Sequence, residues 1–204
     1  MLKRKAIASI KNWVNTKNKK CLVVQGARQT GKTYIIERFA EDNYEELLEI
    51  NFKQMASAVD IFSGDLTVDN MVMAMRFRFP EKKILPGKTL IFLDEIQECQ
   101  EAITSLKFWA IDNRYDVIVS GSLLGIDYKR ASSYPVGYVD YLRMYGMDFE
   151  EFLWGMGISE DMIGNLCGYL ESKTMIPEAI HSQMMNYYRQ YIAIGGMPEV
   201  VQKY

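Results

Sequence analysis

The chain has 204 residues, of which 49% are hydrophobic, and its formal net charge is −2. That size and apolar content suffice for a core that folds unaided, as one domain or one domain with a small appendage. The near-neutral balance excludes a wholesale electrostatic attraction to nucleic acid or to an anionic membrane.

Taken in chain order, Leu2, Ala6, Ile7, Ile10, Trp13 and Val14 recur at helical spacing and predict an amphipathic N-terminal helix. Lys3, Arg4, Lys5, Lys11, Lys17, Lys19 and Lys20 fall in residues 3–20 with no acid among them. This basic segment is a candidate surface for a nucleic acid or protein partner, with a solvated face as the alternative. Lys11 interrupts the apolar positions too early for a signal peptide. CLVVQ predicts a strand over 21–25, and the glycine-rich turn after it leads into a helix over Lys32–Glu41, with Ile35, Ile36 and Phe39 on one face. Tyr44–Phe52 reads as a second strand. Between Leu66 and Phe79, helical spacing of Val68, Met71, Val72, Met75 and Phe79 competes with a strand-like alternation of Met71, Met73, Met75, Phe77 and Phe79; length decides for a helix.

After the Pro86-Gly87 turn, TLIFLDE from Thr89 opens as a continuous apolar run, the pattern of a strand covered on both faces. A helix over Ala102–Ala110, a second buried strand DVIVS over 116–120 and a fifth strand over 139–145 follow. Alternating strands and helices imply right-handed crossovers and a parallel sheet, so ligands gather at the carboxyl ends of the strands. From Asp148 the pattern turns helical. Asp148 with Glu151 makes a capping box, Pro177 suits a first helical position, and Gly195-Gly196 ends a helix before Pro198 starts another. The expected fold is α/β, a parallel sheet of about five strands sandwiched by helices. Residues 1–150 form the core, and 151–204 a helical lid or the start of a C-terminal domain.

Cys21, Cys99 and Cys167 lie too far apart for a disulfide framework or a metal set, which fits a reducing cytoplasmic setting. No apolar run approaches the roughly 20 residues that cross a bilayer, so no membrane role is expected. His181 is the one histidine, and no Ser-His-Asp arrangement is visible.

The chemistry concentrates in GARQTGKT, Gly26 to Thr33, which fits G-x-x-x-x-G-K-[ST] between a strand and a helix. Glycines let successive amide N–H groups turn inward toward phosphate oxygens, and the helix N-terminus adds its positive end. The nucleotide-binding stretch is Gly26, Ala27, Arg28, Gln29, Thr30, Gly31, Lys32 and Thr33, with Tyr34 adjoining. Lys32 would reach the β- and γ-phosphates, and Thr33 would ligate Mg²⁺. LIFLDE supplies the second signal. Asp94 at the end of a buried strand can orient the magnesium shell, and Glu95 beside it can activate a water for attack on the γ-phosphorus. The next strand ends in DVIVSGS, where Ser120 or Ser122 is a candidate γ-phosphate sensor or an ordinary turn residue. The strand and helix at 44–79, between the two motifs, suggest an added strand between the motif strands.

GARQTGKT, LIFLDEIQE, VIVSGSLLG, SYPVGYVDYLRMYGMDFEEFLWG and YIAIGGMPEVV together resemble a prokaryotic AAA-type P-loop ATPase family of the additional-strand class. The likeness runs over nearly the whole chain. It implies a P-loop NTPase fold, ATP and Mg²⁺ as ligands, Glu95 as catalytic base, and a C-terminal restriction-endonuclease-like domain of unknown role in many members. Two positions depart from the family's pattern: Tyr138 stands where a basic residue is usual, and Gly146 where proline is usual. Arg143, Arg130 or an arginine from a neighbouring subunit is then left to stabilise γ-phosphate charge.

These features point to an ATP-driven, Mg²⁺-dependent switch. The alternatives are a nucleotide-responsive DNA- or protein-binding module with little hydrolysis, and a small-molecule phosphotransferase, against which the adjacent Asp94-Glu95 argues. Assembly as a homo-oligomer is open.

Overall fold

The computed structural model describes residues 2–121, 135 and 137–204. Their contacts divide the chain into two compact units, Ala6–Met144 and Met1–Lys5 with Tyr145–Tyr204.

The Ala6–Met144 unit is built on five parallel strands: β1 (Cys21–Gly26), β2 (Glu46–Asn51), β3 (Thr89–Asp94), β4 (Asp116–Gly121) and β5 (Val139–Met144). Their spatial order is β2-β3-β4-β1-β5. Every residue of β1, β3 and β4 is buried, because these central strands are covered on both faces. Val23, Ile91, Leu93, Val117 and Val119 pack with α3 (Val68–Arg78) and α4 (Gln100–Asp112) on one side. Leu22, Val24, Leu90, Phe92 and Ile118 pack with α1 (Lys5–Val14) and α2 (Lys32–Asn43) on the other. The period-2 alternation is therefore present but hidden, since both sets of side chains are apolar.

β2 is an edge strand and buries only Leu48 and Ile50. It begins at Glu46 rather than at Tyr44, because Tyr44 is the C-cap of α2: its N–H bonds the Ala40 carbonyl, and its hydroxyl donates to Asp116 Oδ2 at 2.6 Å. The strand lying between β1 and β3 is β4, whereas β2, which intervenes along the chain, sits at the sheet edge. The expected strand between the motif strands is present, but it is β4 and not one from the 44–79 segment. Pairing partners depend on crossovers between distant segments, which local pattern does not encode.

Residues 68–78 are helical, with Met71, Val72 and Met75 buried while Met73 and Phe77 are 59% and 83% exposed. A strand would have put Met71, Met73 and Met75 on one face. A 3₁₀ segment at Ala56–Phe62, unanticipated from the sequence, buries Ala58, Ile61 and Phe62.

The second unit is helical, with α5 (Phe149–Gly155), α6 (Glu160–Glu171), α7 (Glu178–Ile194) and α8 (Pro198–Lys203). The Asp148/Glu151 capping box forms in full. Pro177 is the N-cap of α7 rather than its first helical residue, and Gly195 closes that helix as anticipated. Met147, Phe152 and Val201 form a small core with Phe149, Tyr187 and Tyr191 packed on it, and the Tyr191 hydroxyl donates to the Met147 carbonyl at 2.9 Å.

Within this unit the N-terminal residues are tied down by charge. Arg4 Nε lies 3.1 Å from Glu151 Oε2, both side chains 6% exposed, and Arg4 Nη2 donates to the Tyr145 carbonyl at 2.8 Å. Lys3 pairs with Glu160, and Lys5 with Asp148 and Glu150, each at 2.6 Å. In the larger unit Lys19 pairs with Asp116 at 2.8 Å. Much of the basic character seen in residues 3–20 is thus neutralised locally. An apolar groove of about 700 Å³ lies between α6 and α7, lined by Leu166, Tyr169, Met184 and Tyr187 among others. Among the described residues, no helix is long and apolar enough to cross a membrane.

Candidate functional site

The carboxyl ends of β1, β3, β4 and β2 converge on one constellation. Leaving β1, the chain turns through Gly26–Thr30 into α2, whose N-cap Gly31 has φ 84° and ψ 25°. That left-handed geometry strains any residue with a Cβ. Gly26 is required for a different reason: a Cβ there would lie 2.3 Å from the Met144 carbonyl oxygen of β5. The first glycine of the loop thus serves close strand packing, and the second the entry into the helix.

Lys32 Nζ donates to the carbonyls of Gly26 and Ala27 at 3.0 and 2.8 Å, folding back over the loop. Burial pushes its ammonium below the ordinary value, while the Glu95 and Asp94 carboxylates oppose that shift and Arg28 adds to it. A cation in this setting is partly stripped of water and ready to exchange carbonyl partners for anionic oxygens. Thr30, buried, donates its hydroxyl to the Ala27 carbonyl at 2.9 Å, whereas Ala27, Arg28, Gln29 and Tyr34 are exposed.

Asp94 is the hub, 5% exposed. Its Oδ2 accepts from Thr33 Oγ1 at 3.3 Å and from Asn51 Nδ2 at 2.8 Å. Its Oδ1 accepts from the Glu95 N–H at 3.0 Å and, more closely, from Ser120 Oγ. One carboxylate therefore joins the starts or ends of α2, β2, β3 and β4. Glu95 follows in a left-handed conformation, φ 52° and ψ 44°, and its Oε2 accepts from Gln97 Nε2.

Of the residues singled out from the sequence, Thr33, Asp94 and Ser120 meet directly, and Lys32 and Glu95 border them. Ser122 and Arg130 lie outside the described residues. Arg143 is exposed on β5, and Lys107 lies over the Tyr138 ring, 5.7 Å from its centroid. Sequence reading missed Asn51 and Gln97. Asn51 carried a usable signal, being a polar residue at the carboxyl end of a parallel strand, where sites assemble.

A model for the AAA domain matches residues 18–153. The chain belongs to the AAA domain family. This AAA domain is a P-loop module of the nucleotide-binding kind, and its five-stranded parallel sheet flanked by helices is the corresponding fold. It is similar to the structure of AMPPCP-bound DnaA from Aquifex aeolicus, with a TM-score of 0.54 at 11% identity over 98% of this chain and 58% of that one. The chain thus spans little more than half the length of that one, and at this identity the likeness is one of fold. No curated protein matches the sequence.

Proposed function

We propose that this AAA domain binds ATP at the Gly26–Thr33 loop and hydrolyses it in a Mg²⁺-dependent reaction that serves as a conformational switch. The observation that carries this reading is the hydrogen bond from Thr33 at the start of α2 to Asp94 at the end of β3, 3.3 Å across. Two hard oxygen donors at that separation, one ionisable and one neutral, suit a cation that takes few protein ligands and completes its shell with phosphate and water. The ATP analogue in the similar DnaA structure supports the choice of nucleotide. When bound, magnesium would neutralise phosphate charge.

In this reading Lys32 exchanges the Gly26 and Ala27 carbonyls for β- and γ-phosphate oxygens. Thr33 and Asp94 would hold the metal, and Ser120, fixed on Asp94 from β4, would report γ-phosphate occupancy. Glu95 orients a water and accepts its proton. The backbone amides of Ala27–Thr33 supply the anion cradle. Residues 151–204 are the candidate output of the switch, as a lid or as the start of a further domain.

The test is phosphate release from ATP with Mg²⁺, measured beside nucleotide affinity. Glu95→Gln is expected to keep affinity and to lose turnover by about 10²–10⁴-fold, and Lys32→Ala to lose affinity. Undiminished turnover in Glu95→Gln would overturn the assignment of the base.

A further inference from the structure

We infer that Gln97 is the residue that positions Glu95, an inference that rests on the proposed role of Glu95 as the water-activating base. Four features of the chain just after β3 lead to it.

First, Glu95 is held in the left-handed region, φ 52° and ψ 44°, which few residues with a side chain occupy. Second, what imposes it is a short 3₁₀ turn. Glu98 N–H bonds the Glu95 carbonyl and Cys99 N–H bonds the Ile96 carbonyl, both at 3.0 Å, while Ile96 is 1% exposed and anchors the turn in the core. Backbone direction at Glu95 is therefore set by the turn and its buried anchor.

Third, Gln97 holds the Glu95 side chain, with Nε2 donating to Glu95 Oε2. A carboxylate only accepts hydrogen bonds, so the amide must present nitrogen, not oxygen, to Glu95; its orientation is fixed chemically. Fourth, the other end of the amide, Oε1, is buried and has no hydrogen-bond partner among the described residues. The one side-chain hydrogen bond that Gln97 makes among the described residues is therefore the one to Glu95.

The bond leaves Glu95 Oε1 as the oxygen that faces a water, and it removes the rotamer freedom that a solvent-facing glutamate otherwise has. Such preorganisation raises turnover without changing ground-state nucleotide binding. Gln97 is thus a positioning residue and not a catalytic one, since it touches Glu95 rather than the nucleotide.

The experiment compares Gln97→Met, of similar shape without the donor, and Gln97→Glu, of the same shape with a repelling carboxylate. Both are made in the wild-type and the Glu95→Gln backgrounds. Steady-state hydrolysis and ATP affinity are measured, with thermal midpoints as a check on folding. The Glu95→Gln background is assayed with protein in excess over labelled ATP, so that residual turnover is read. Both variants are expected to lower kcat by about 10–100-fold, as is usual for a partner that orients a reacting group, with affinity within about twofold. Neither is expected to lower turnover further once Glu95 is glutamine. Wild-type kcat in both variants overturns the inference, as does a loss that appears in affinity or recurs in full in the Glu95→Gln background. If Glu95→Gln itself hydrolyses ATP normally, the base assignment fails and this inference with it; if Glu95→Gln is inactive and both Gln97 variants are normal, only the inference fails.

Discussion

Asn51 donates its side-chain amide to Asp94 Oδ2 at 2.8 Å, joining the end of the edge strand β2 to the end of β3. The other end of the same amide, Oδ1, accepts from the N–H groups of Lys53 and Gln54 at 3.1 Å each. Asn51 therefore closes its own turn while bracing the hub carboxylate, and neither function survives rotation of the amide.

Replacing Asn51 with alanine removes a hydrogen bond to a charged group and should cost about 2 kcal/mol. For a protein of this size that lowers the thermal midpoint by about 4–8 °C. Differential scanning fluorimetry on purified Asn51→Ala checks it; an unchanged midpoint would show that the bridge contributes nothing.

Glu49 on β2 is pushed up to about 7, first by burial, then by the nearby carboxylates of Glu37 on α2 and Asp94 on β3 and by a hydrogen bond with Glu37. The folded state holds this proton more tightly than the unfolded chain. Stability should therefore fall as pH rises from the ordinary carboxyl range to about 7, and stay lower above it. Glu49→Gln flattens that slope. Allowing for screening of a partly solvated side chain, the gain at pH 8 should be about 1 kcal/mol, with little gain at pH 4. Urea midpoints at both pH values decide it, and parallel profiles for the two proteins would refute it.

Arg4 and Glu151 form an ion pair in which each side chain is 6% exposed. Deleting either partner strands the other charge, at about 3–5 kcal/mol. Because Glu151 also accepts from the N–H groups of Lys5 and Asp148, the double replacement Arg4→Met with Glu151→Leu should recover only part of that loss. Lys5→Ala, at a far more exposed pair, should cost no more than about 1 kcal/mol. Chemical denaturation of the four variants tests the ordering.

Gly26→Ala and Gly31→Ala should fail for different reasons. The first forces a Cβ against the Met144 carbonyl and should cost about 1–3 kcal/mol by overpacking. The second strains a left-handed φ, at about 1–2 kcal/mol. Shifts of the β5 amide resonances are expected in Gly26→Ala and not in Gly31→Ala.

Much of this arrangement was readable from the chain. β3 and β4 announce themselves because covering on both faces makes their middle positions, Leu90–Leu93 and Val117–Val119, continuously apolar, and the capping box at Asp148/Glu151 follows from side-chain chemistry within four residues. GARQTGKT is readable for the same reason, as a local turn with local requirements. What escaped depends on distance along the sequence. That β4 lies beside β1, that Asn51 reaches Asp94, and that Glu37 faces Glu49 are meetings of segments brought together only by the crossovers. Gln97 escaped although it is two residues from Glu95, because a glutamine after an acidic strand end gives no sign of where its amide points.

α6 and α7 run for 12 and 17 residues without burying one, whereas β3 buries all six of its own. Amide hydrogens in those helices should therefore exchange with deuterated solvent through small local openings, while those of β3 wait for the sheet as a whole to come apart. The protein carries a built-in gradient of cooperativity, with a sheet that behaves as a single unit and a helical hairpin free to fluctuate on its own.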